Sequence, residues 1–194
     1  MKKYELTTET LQFAGRILHR IKAVKDFDFI QAGEFGGWIE KEENLSQDDN
    51  AWIYYNAMVF GNANVFGNAK VYGYAKVFGN ANVFGNAKVY GYAKVYDNAN
   101  IDDYAEVYGM AVIKGDAKVH DATDYIVFKN FWSSGRYFTW TRSNNKWSVG
   151  CFYGTGEELI KKTYADSDTS GREYERVVRY VESILADEKK EKSN

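Results

Sequence analysis

The sequence predicts a mainly β chain, in which a three-sided tube of about four coils is followed by a small C-terminal α+β module. Two periodicities predict the tube. Alanine recurs every six residues from Ala51 to Ala117, with valine or isoleucine two positions after each alanine. Residues 63–80 and 81–98 match at sixteen of eighteen positions, which adds a period of eighteen. The chain has no proline, as expected where backbone N–H groups are needed for hydrogen bonds between strands.

One repeat unit, residues 63–68, reads alanine, asparagine, valine, phenylalanine, glycine, asparagine. Alternate side chains of a strand point to opposite sides, so the alanine and valine face the interior and the other two strand residues face outward. Glycine and asparagine tolerate the positive φ that a corner requires. Twelve such units within residues 46–122 therefore predict four coils of three sides, spaced about 4.8 Å apart.

The repeat resembles that of the hexapeptide-repeat proteins, whose signature is an aliphatic residue followed four positions later by a small one. Val65 and Ala69 show this spacing, and the other units repeat it. The resemblance implies a left-handed parallel β-helix, although the usual crossover rule favours the right hand. It also implies a homotrimer, because proteins of this type are commonly trimeric.

The segments on either side of the tube lack the repeat. Residues 1–45 alternate as strands and are predicted to form an N-terminal β cap. Residues 123–194 predict a hairpin, two helices and a frayed tail. The helices are expected to begin at two capping boxes, Thr155–Glu158 and Ser170–Glu173.

The hairpin in the C-terminal module is predicted to turn at Asn144 and Asn145. A two-residue turn there pairs Trp140 with Val149 and Phe138 with Cys151. This register places Cys151 on an apolar face, where packing is a better explanation for the thiol than catalysis.

Composition excludes several functional classes. The net charge is −2, which disfavours nucleic acid as a partner. Cys151 is the only cysteine, so an intrachain disulfide and a cysteine-based zinc cluster are ruled out. His19 and His120 are the only histidines, too few for a three-histidine metal site. We therefore predict no metal, no cofactor and no catalytic residue, and expect a cytoplasmic protein without a membrane segment.

One outward face of the tube is apolar and almost uncharged over its first two coils. On this face, asparagines eighteen residues apart can hydrogen-bond from coil to coil. We expect this face to form the interface of a homotrimer. The predicted interface residues are Asn64, Phe66, Asn82, Phe84 and Asn100.

The C-terminal hairpin is the predicted partner-binding element, because tryptophan and arginine dominate binding hot spots. Arg142 is expected to stack on Trp147 as a cation–π pair. The alternative is that these aromatic residues only join the hairpin to the helices. The predicted contact residues are Arg136, Tyr137, Trp140, Arg142 and Trp147.

Both flanks resemble uncharacterised proteins of phages and prophages of low-GC bacteria. This resemblance implies a non-enzymatic interaction protein in the bacterial host cell. Its partner would be a host or phage protein, and the most concrete version is an inhibitor of a host defence system, such as an anti-CRISPR-type blocker. Two alternatives remain: a hexapeptide-repeat acyltransferase that uses His120 as general base, and a sponge that sequesters a nucleotide signal between subunits.

Overall fold

The computed structural model describes residues 2–192. Its N-terminal segment begins with an antiparallel hairpin of β1 (Tyr4–Phe13) and β2 (Arg16–Ala23), and β2 pairs with β3 (Phe35–Ile39). β3 is also the first strand of the tube, because Trp38 and Ile39 pair in parallel with Met58 and Val59 one coil later. After a short 3-10 helix (Glu42–Asn44), Leu45 forms a parallel bridge to Val65. Residues before the alanine repeat therefore build a coil of their own.

The tube has three flat faces, and its strands after β3 are each two residues long. They are β4 (Trp52–Ile53), β5 (Met58–Val59), β6 (Asn64–Val65), β7 (Lys70–Val71), β8 (Lys76–Val77), β9 (Asn82–Val83), β10 (Lys88–Val89), β11 (Lys94–Val95), β12 (Asn100–Ile101), β13 (Glu106–Val107), β14 (Val112–Ile113) and β15 (Lys118–Val119). The tyrosine face contains β4, β7, β10 and β13; the hairpin face contains β3, β5, β8, β11 and β14; and the asparagine face contains β6, β9, β12 and β15. The mainly β fold is thus confirmed, with about five turns instead of four.

Alanine and valine fill the interior of the tube, as the alternation predicts. Every repeat alanine and every repeat valine or isoleucine is fully buried in one continuous core. Each strand pairs with the strand eighteen residues later, and backbone hydrogen bonds join the two coils. Asn64 N, for example, donates to Ala81 O at 3.0 Å, and Phe66 N donates to Val83 O at 3.1 Å.

The corners depend on backbone at positive φ. Gly73 has φ +70°, and a Cβ built on it would lie 3.1 Å from the backbone N of Gly91 in the next coil. At the other two corners, an asparagine precedes the repeat alanine in successive coils. Its side chain hydrogen-bonds to the equivalent asparagine one coil away, at 3.0 to 3.3 Å. These two columns are Asn50–Asn68–Asn86 and Asn62–Asn80–Asn98.

The C-terminal module contains an antiparallel sheet and two helices that share a second core. One face of the sheet contacts the helices, and the other covers the end of the tube. There, Val112 N donates to Thr139 Oγ1 at 2.9 Å and Lys118 N donates to Ser143 Oγ at 2.7 Å. After a 3-10 helix (Ala122–Asp124), the elements are β16 (Tyr125–Lys129), β17 (Tyr137–Thr141), β18 (Lys146–Val149), β19 (Phe152–Gly154), α1 (Gly156–Asp166) and α2 (Asp168–Glu191).

The predicted hairpin register is wrong by two residues. Trp140 pairs with Trp147, and Phe138 pairs with Val149. The loop is longer than a two-residue turn because the side chains of both asparagines bind to β17, the first strand of the hairpin. Trp140 Nε1 donates to Asn145 Oδ1 at 2.8 Å, and Thr141 Oγ1 donates to Asn144 Oδ1 at 2.6 Å. Cys151 therefore lies outside β18 and is exposed, not on an apolar face.

The two helices differ in how well the sequence predicts them. α1 begins at the expected capping box, with the Thr155 side chain accepting from Glu158 N. α2 begins earlier than predicted, because Ser167 is its cap and accepts a hydrogen bond from Ser170 N. The tail expected to be frayed is helical as far as Glu191; residues 193–194 lie outside the described part. Neither helix within residues 2–192 has the length and apolarity needed to cross a membrane.

Gly73→Ala should destabilise the tube more than Gly109→Ala. Both glycines have positive φ, which costs an alanine about 1 kcal/mol or more, but nothing lies within 4 Å of a Cβ built on Gly109. The added methyl at Gly73 must also displace the backbone of Gly91. Thermal unfolding followed by circular dichroism should show the larger loss for Gly73→Ala, and equal losses would contradict the close approach of coils at the corners.

Val83→Asp should unfold the tube, because it places an unpaired charge in the interior at a cost of more than about 3 kcal/mol. Tyr104→Asp is the matched control, since it adds the same charge at a corner side chain that is 78% exposed. We expect the control to change the free energy of unfolding by about 1 kcal/mol or less. Denaturant unfolding measures both, and a stable Val83→Asp variant would disprove the assigned inward face.

Candidate active site

A histidine and an aspartate meet at the C-terminal end of the asparagine face. Asp102 follows β12 and His120 follows β15, and both occupy the outward position that aromatic residues take in earlier units. Because they are eighteen residues apart, they lie one above the other on adjacent coils. The His120 ring Nδ1 is hydrogen-bonded to Asp102 Oδ1, and Asp103 Oδ2 lies 3.7 Å from the same nitrogen.

The turn that follows β15 holds His120 in place. The backbone N of His120 donates to Asp124 Oδ2 at 2.8 Å. Asp121 caps this turn by accepting from the N–H and hydroxyl of Thr123, both at 2.6 Å. These hydrogen bonds from Thr123 hold the pKa of Asp121 below its usual range.

The pair has the geometry of a histidine oriented by a carboxylate. When Nδ1–H donates to Asp102, the neutral ring presents Nε2 as a proton acceptor. That nitrogen has no hydrogen bond to any residue in the described range, and 51% of the His120 side chain is exposed. The arrangement can therefore remove a proton from a small nucleophile that approaches from solvent.

The same cluster could also bind a metal ion. Donor atoms of Asp102, Asp103 and His120 lie within 4.8 Å of one another. Carboxylate and imidazole together suit a divalent cation, but binding would have to displace the hydrogen bond between His120 and Asp102. The hydrogen bond between His120 and Asp102 therefore favours proton transfer over metal binding.

The predicted interface residues lie on this same face. Phe66 and Phe84 stack with ring centroids 4.9 Å apart and planes 1° from parallel. Asn82 Nδ2 donates to Asn100 Oδ1 at 3.1 Å. All five predicted residues, Asn64 included, are partly exposed, so the face is available to a second chain. Whether it forms a trimer interface stays a prediction.

Three of the five residues predicted to contact a partner have structural roles. Trp140 and Trp147 are each 1% exposed, in the core of the C-terminal module. Arg142 forms a two-pronged ion pair with Glu188 of α2, at 2.6 and 3.1 Å, and this contact raises the pKa of the guanidinium. Arg142 lies over the Trp140 ring, at 5.7 Å, and not over Trp147 as expected. Arg136 and Tyr137 are exposed.

Sequence reasoning missed Asp102 as the partner of His120. From the sequence, His120 is named only as the general base of the acyltransferase alternative, with no residue assigned to orient it. The signal was available in the eighteen-residue spacing between Asp102 and His120. The same spacing pairs Lys88 with Glu106 on the tyrosine face, at 2.7 Å.

Comparison with known proteins gives a partial match. No family model matches the sequence. The uncharacterized acetyltransferase YdcK of Escherichia coli strain K12 is 39% identical over an alignment of 62 residues, and the match covers 28% of this chain and 19% of YdcK. The chain thus spans about a fifth of the length of that relative. The match and the tube both fit a parallel β-helix of the hexapeptide-repeat type, and the match lends no support to a phage-type origin of the flanks.

Proposed function

We propose that the protein is an acyltransferase of the hexapeptide-repeat type, with His120 as general base. The observation that carries this proposal is the hydrogen bond between His120 Nδ1 and Asp102 on an exposed face of the tube. The similarity to a protein named as an acetyltransferase supports the same reaction class. It favours acyl transfer over the interaction-protein hypothesis drawn from the flanks.

The reaction assigned to the site is transfer of an acyl group from a thioester to an amine or hydroxyl. His120 Nε2 takes the proton of the acceptor as its nitrogen or oxygen attacks the thioester carbonyl carbon. A C–N or C–O bond forms, the C–S bond breaks, and the imidazolium returns its proton to the thiolate. Asp102 is a positioning residue that fixes the tautomer of His120 and stabilises the imidazolium.

We further propose that the asparagine face joins three copies of the chain. The stacked pair Phe66–Phe84 and the Asn82–Asn100 hydrogen bond give this face a flat surface of apolar and amide groups. His120 lies at its C-terminal end, so assembly through this face would place the histidine beside a neighbouring subunit. A groove between subunits would provide the walls that an exposed single-chain site lacks.

Replacement of His120 tests the enzymatic proposal. With acetyl-CoA as donor and a panel of amino sugars, polyamines and amino acids as acceptors, His120→Ala should reduce thiol release by about 100-fold or more. Asp102→Asn should reduce it by about 10- to 100-fold, because the imidazole loses its orientation. His19→Ala, on β2, is the matched control and should retain full activity.

The assay is best run in a Cys151→Ser background, because the exposed thiol would itself react with a thiol reagent. Unchanged thiol release by His120→Ala would overturn the assigned base. No transfer by the unmodified chain to any acceptor would overturn the acyltransferase proposal and favour the non-enzymatic interaction protein.

Light scattering tests the trimer. The unmodified protein should have a mass corresponding to three chains of 22.2 kDa. Phe84→Glu should yield monomers, because it places a charge in the centre of the proposed interface. Tyr74→Glu is the control, since Tyr74 also belongs to a stacked ring pair but lies at an exposed corner. A monomeric unmodified chain at micromolar concentration would disprove the proposal.

A further inference from the structure

A second cleft lies where the hairpin face of the tube meets the C-terminal module, away from the face that carries His120. Its volume is about 420 Å³, within the range of small-molecule sites. Strands of the tube form one wall, and the segment that enters β17 forms the other. The residues that bear on its chemistry are Tyr92, Lys94, Tyr96, Met110, Arg136 and Tyr137.

The cleft carries two positive charges that no residue in the described part of the chain neutralises. Neither Lys94 nor Arg136 forms an ion pair within residues 2–192, and no acidic side chain lines the cleft. The nearest acid in sequence to Lys94, Asp97, accepts instead from Gly115 N at the corner, at 3.2 Å. Lys76, one coil before Lys94, does not line the cleft, and its ammonium lies over the Phe13 ring; burial and the charge of Lys94 lower its pKa.

Other surface clefts on the tube differ in this respect. In the cleft beside the N-terminal hairpin, Arg16 pairs with Glu40 at 2.7 Å. In the cleft beside the asparagine column on the tyrosine face, Lys70 pairs with Asp28 at 2.8 Å. Both of these clefts contain a carboxylate, whereas none from residues 2–192 lines the cleft between the tube and the module. The cations of that cleft therefore favour an anionic ligand.

Two exposed tyrosine rings stand beside these cations. Tyr92 is 58% exposed and stacks on Tyr74 with ring centroids 5.2 Å apart, which fixes its ring plane. Tyr137 is 42% exposed and begins β17, with Lys129 Nζ 5.7 Å from its ring centroid. Aromatic rings held in this way are surfaces on which a planar heterocycle can stack.

Two glycines lie beside Arg136. Gly135 has φ +66° and turns the chain into β17. Gly150 has φ +56°, and a Cβ built on it would lie 3.5 Å from Arg136 Nη1. That distance is an ordinary van der Waals contact, so the guanidinium lies directly beside Gly150. Its fork of N–H groups matches two oxygens of a phosphate.

We propose that this cleft binds a mononucleotide, with its base against Tyr92 and Tyr137 and its phosphate between Lys94 and Arg136. The combination of unpaired cations and exposed rings fits a ligand that is both anionic and planar. The site lies within one chain, unlike the nucleotide site between subunits considered from the sequence. It is independent of His120, and so of the acyltransferase proposal.

Calorimetric titration with the four ribonucleoside 5′-monophosphates tests this site. At least one should bind, and Arg136→Gln and Lys94→Gln should each weaken its affinity by about tenfold. Lys118→Gln is the matched control, because it removes the same charge from an exposed strand position on the asparagine face. The parent nucleoside and inorganic phosphate should each bind at least about tenfold more weakly than the nucleotide, and His120→Ala should bind it normally.

Circular dichroism of each variant confirms that the fold is retained. The proposal is overturned if none of the four nucleotides binds at millimolar concentration. It is also overturned if Lys118→Gln weakens binding as much as Arg136→Gln, which would indicate attraction to the surface charge in general. Binding that is lost only in His120→Ala would move the nucleotide to the other face and likewise reject this cleft.

Discussion

The hydrogen bonds between coils impose the constraint on which the rest of the molecule depends. Each strand of the alanine-repeat coils is only two residues long, so a coil has little stability alone and relies on the coils above and below it. To keep these bonds in register, every coil of the alanine repeat contains eighteen residues. Alanines beside valines are small enough to pack in the narrow interior. At the corner, Gly73 has no Cβ that would collide with the next coil, which passes close by.

Regular stacking also determines what the outer surface can be. Any residue repeated at a spacing of eighteen contacts its equivalent one coil away, so rings stack on rings and amides bond to amides. Where the repeat changes, the same geometry makes a new pair. Lys88 meets Glu106 in this way, and Asp102 meets His120. The candidate active site is thus a variation within the repeat, and needs no inserted loop.

The C-terminal end of the tube is stabilised differently, because the backbone groups of its last coil have no following coil to bind. The C-terminal module supplies side chains in their place, with Thr139 and Ser143 accepting from N–H groups of the final strands. The Tyr125 hydroxyl similarly donates to Glu106 O at 2.9 Å. The polar residues on one face of the module's sheet are explained by this contact, whereas its other face is apolar toward the helices.

The tube could be predicted in detail from the sequence, because its geometry follows from a repeat that is visible in every unit. Buried Val83 and the corner at Gly73 required no tertiary information. The coil begun by β3 could not be counted, since Trp38 and Ile39 lack the repeat and join the tube only through pairing with Met58 and Val59. The predicted hairpin register is wrong for a similar reason, because contacts of Asn144 and Asn145 with β17 set the loop length. In the candidate site, His120 could be named from the sequence as a general base, but its orientation by Asp102 was not predicted.

The near identity of successive coils has a consequence for how the chain can change. Duplication of residues 63–80 would add one coil, about 4.8 Å of length, while every new contact would copy one that already exists. The His120–Asp102 pair and the tube–module cleft both belong to the C-terminal end, so they would move together as one rigid piece. Distance from the N-terminal hairpin is therefore adjustable in steps of one coil, by recombination within the gene, without any redesign of the chemistry at the other end.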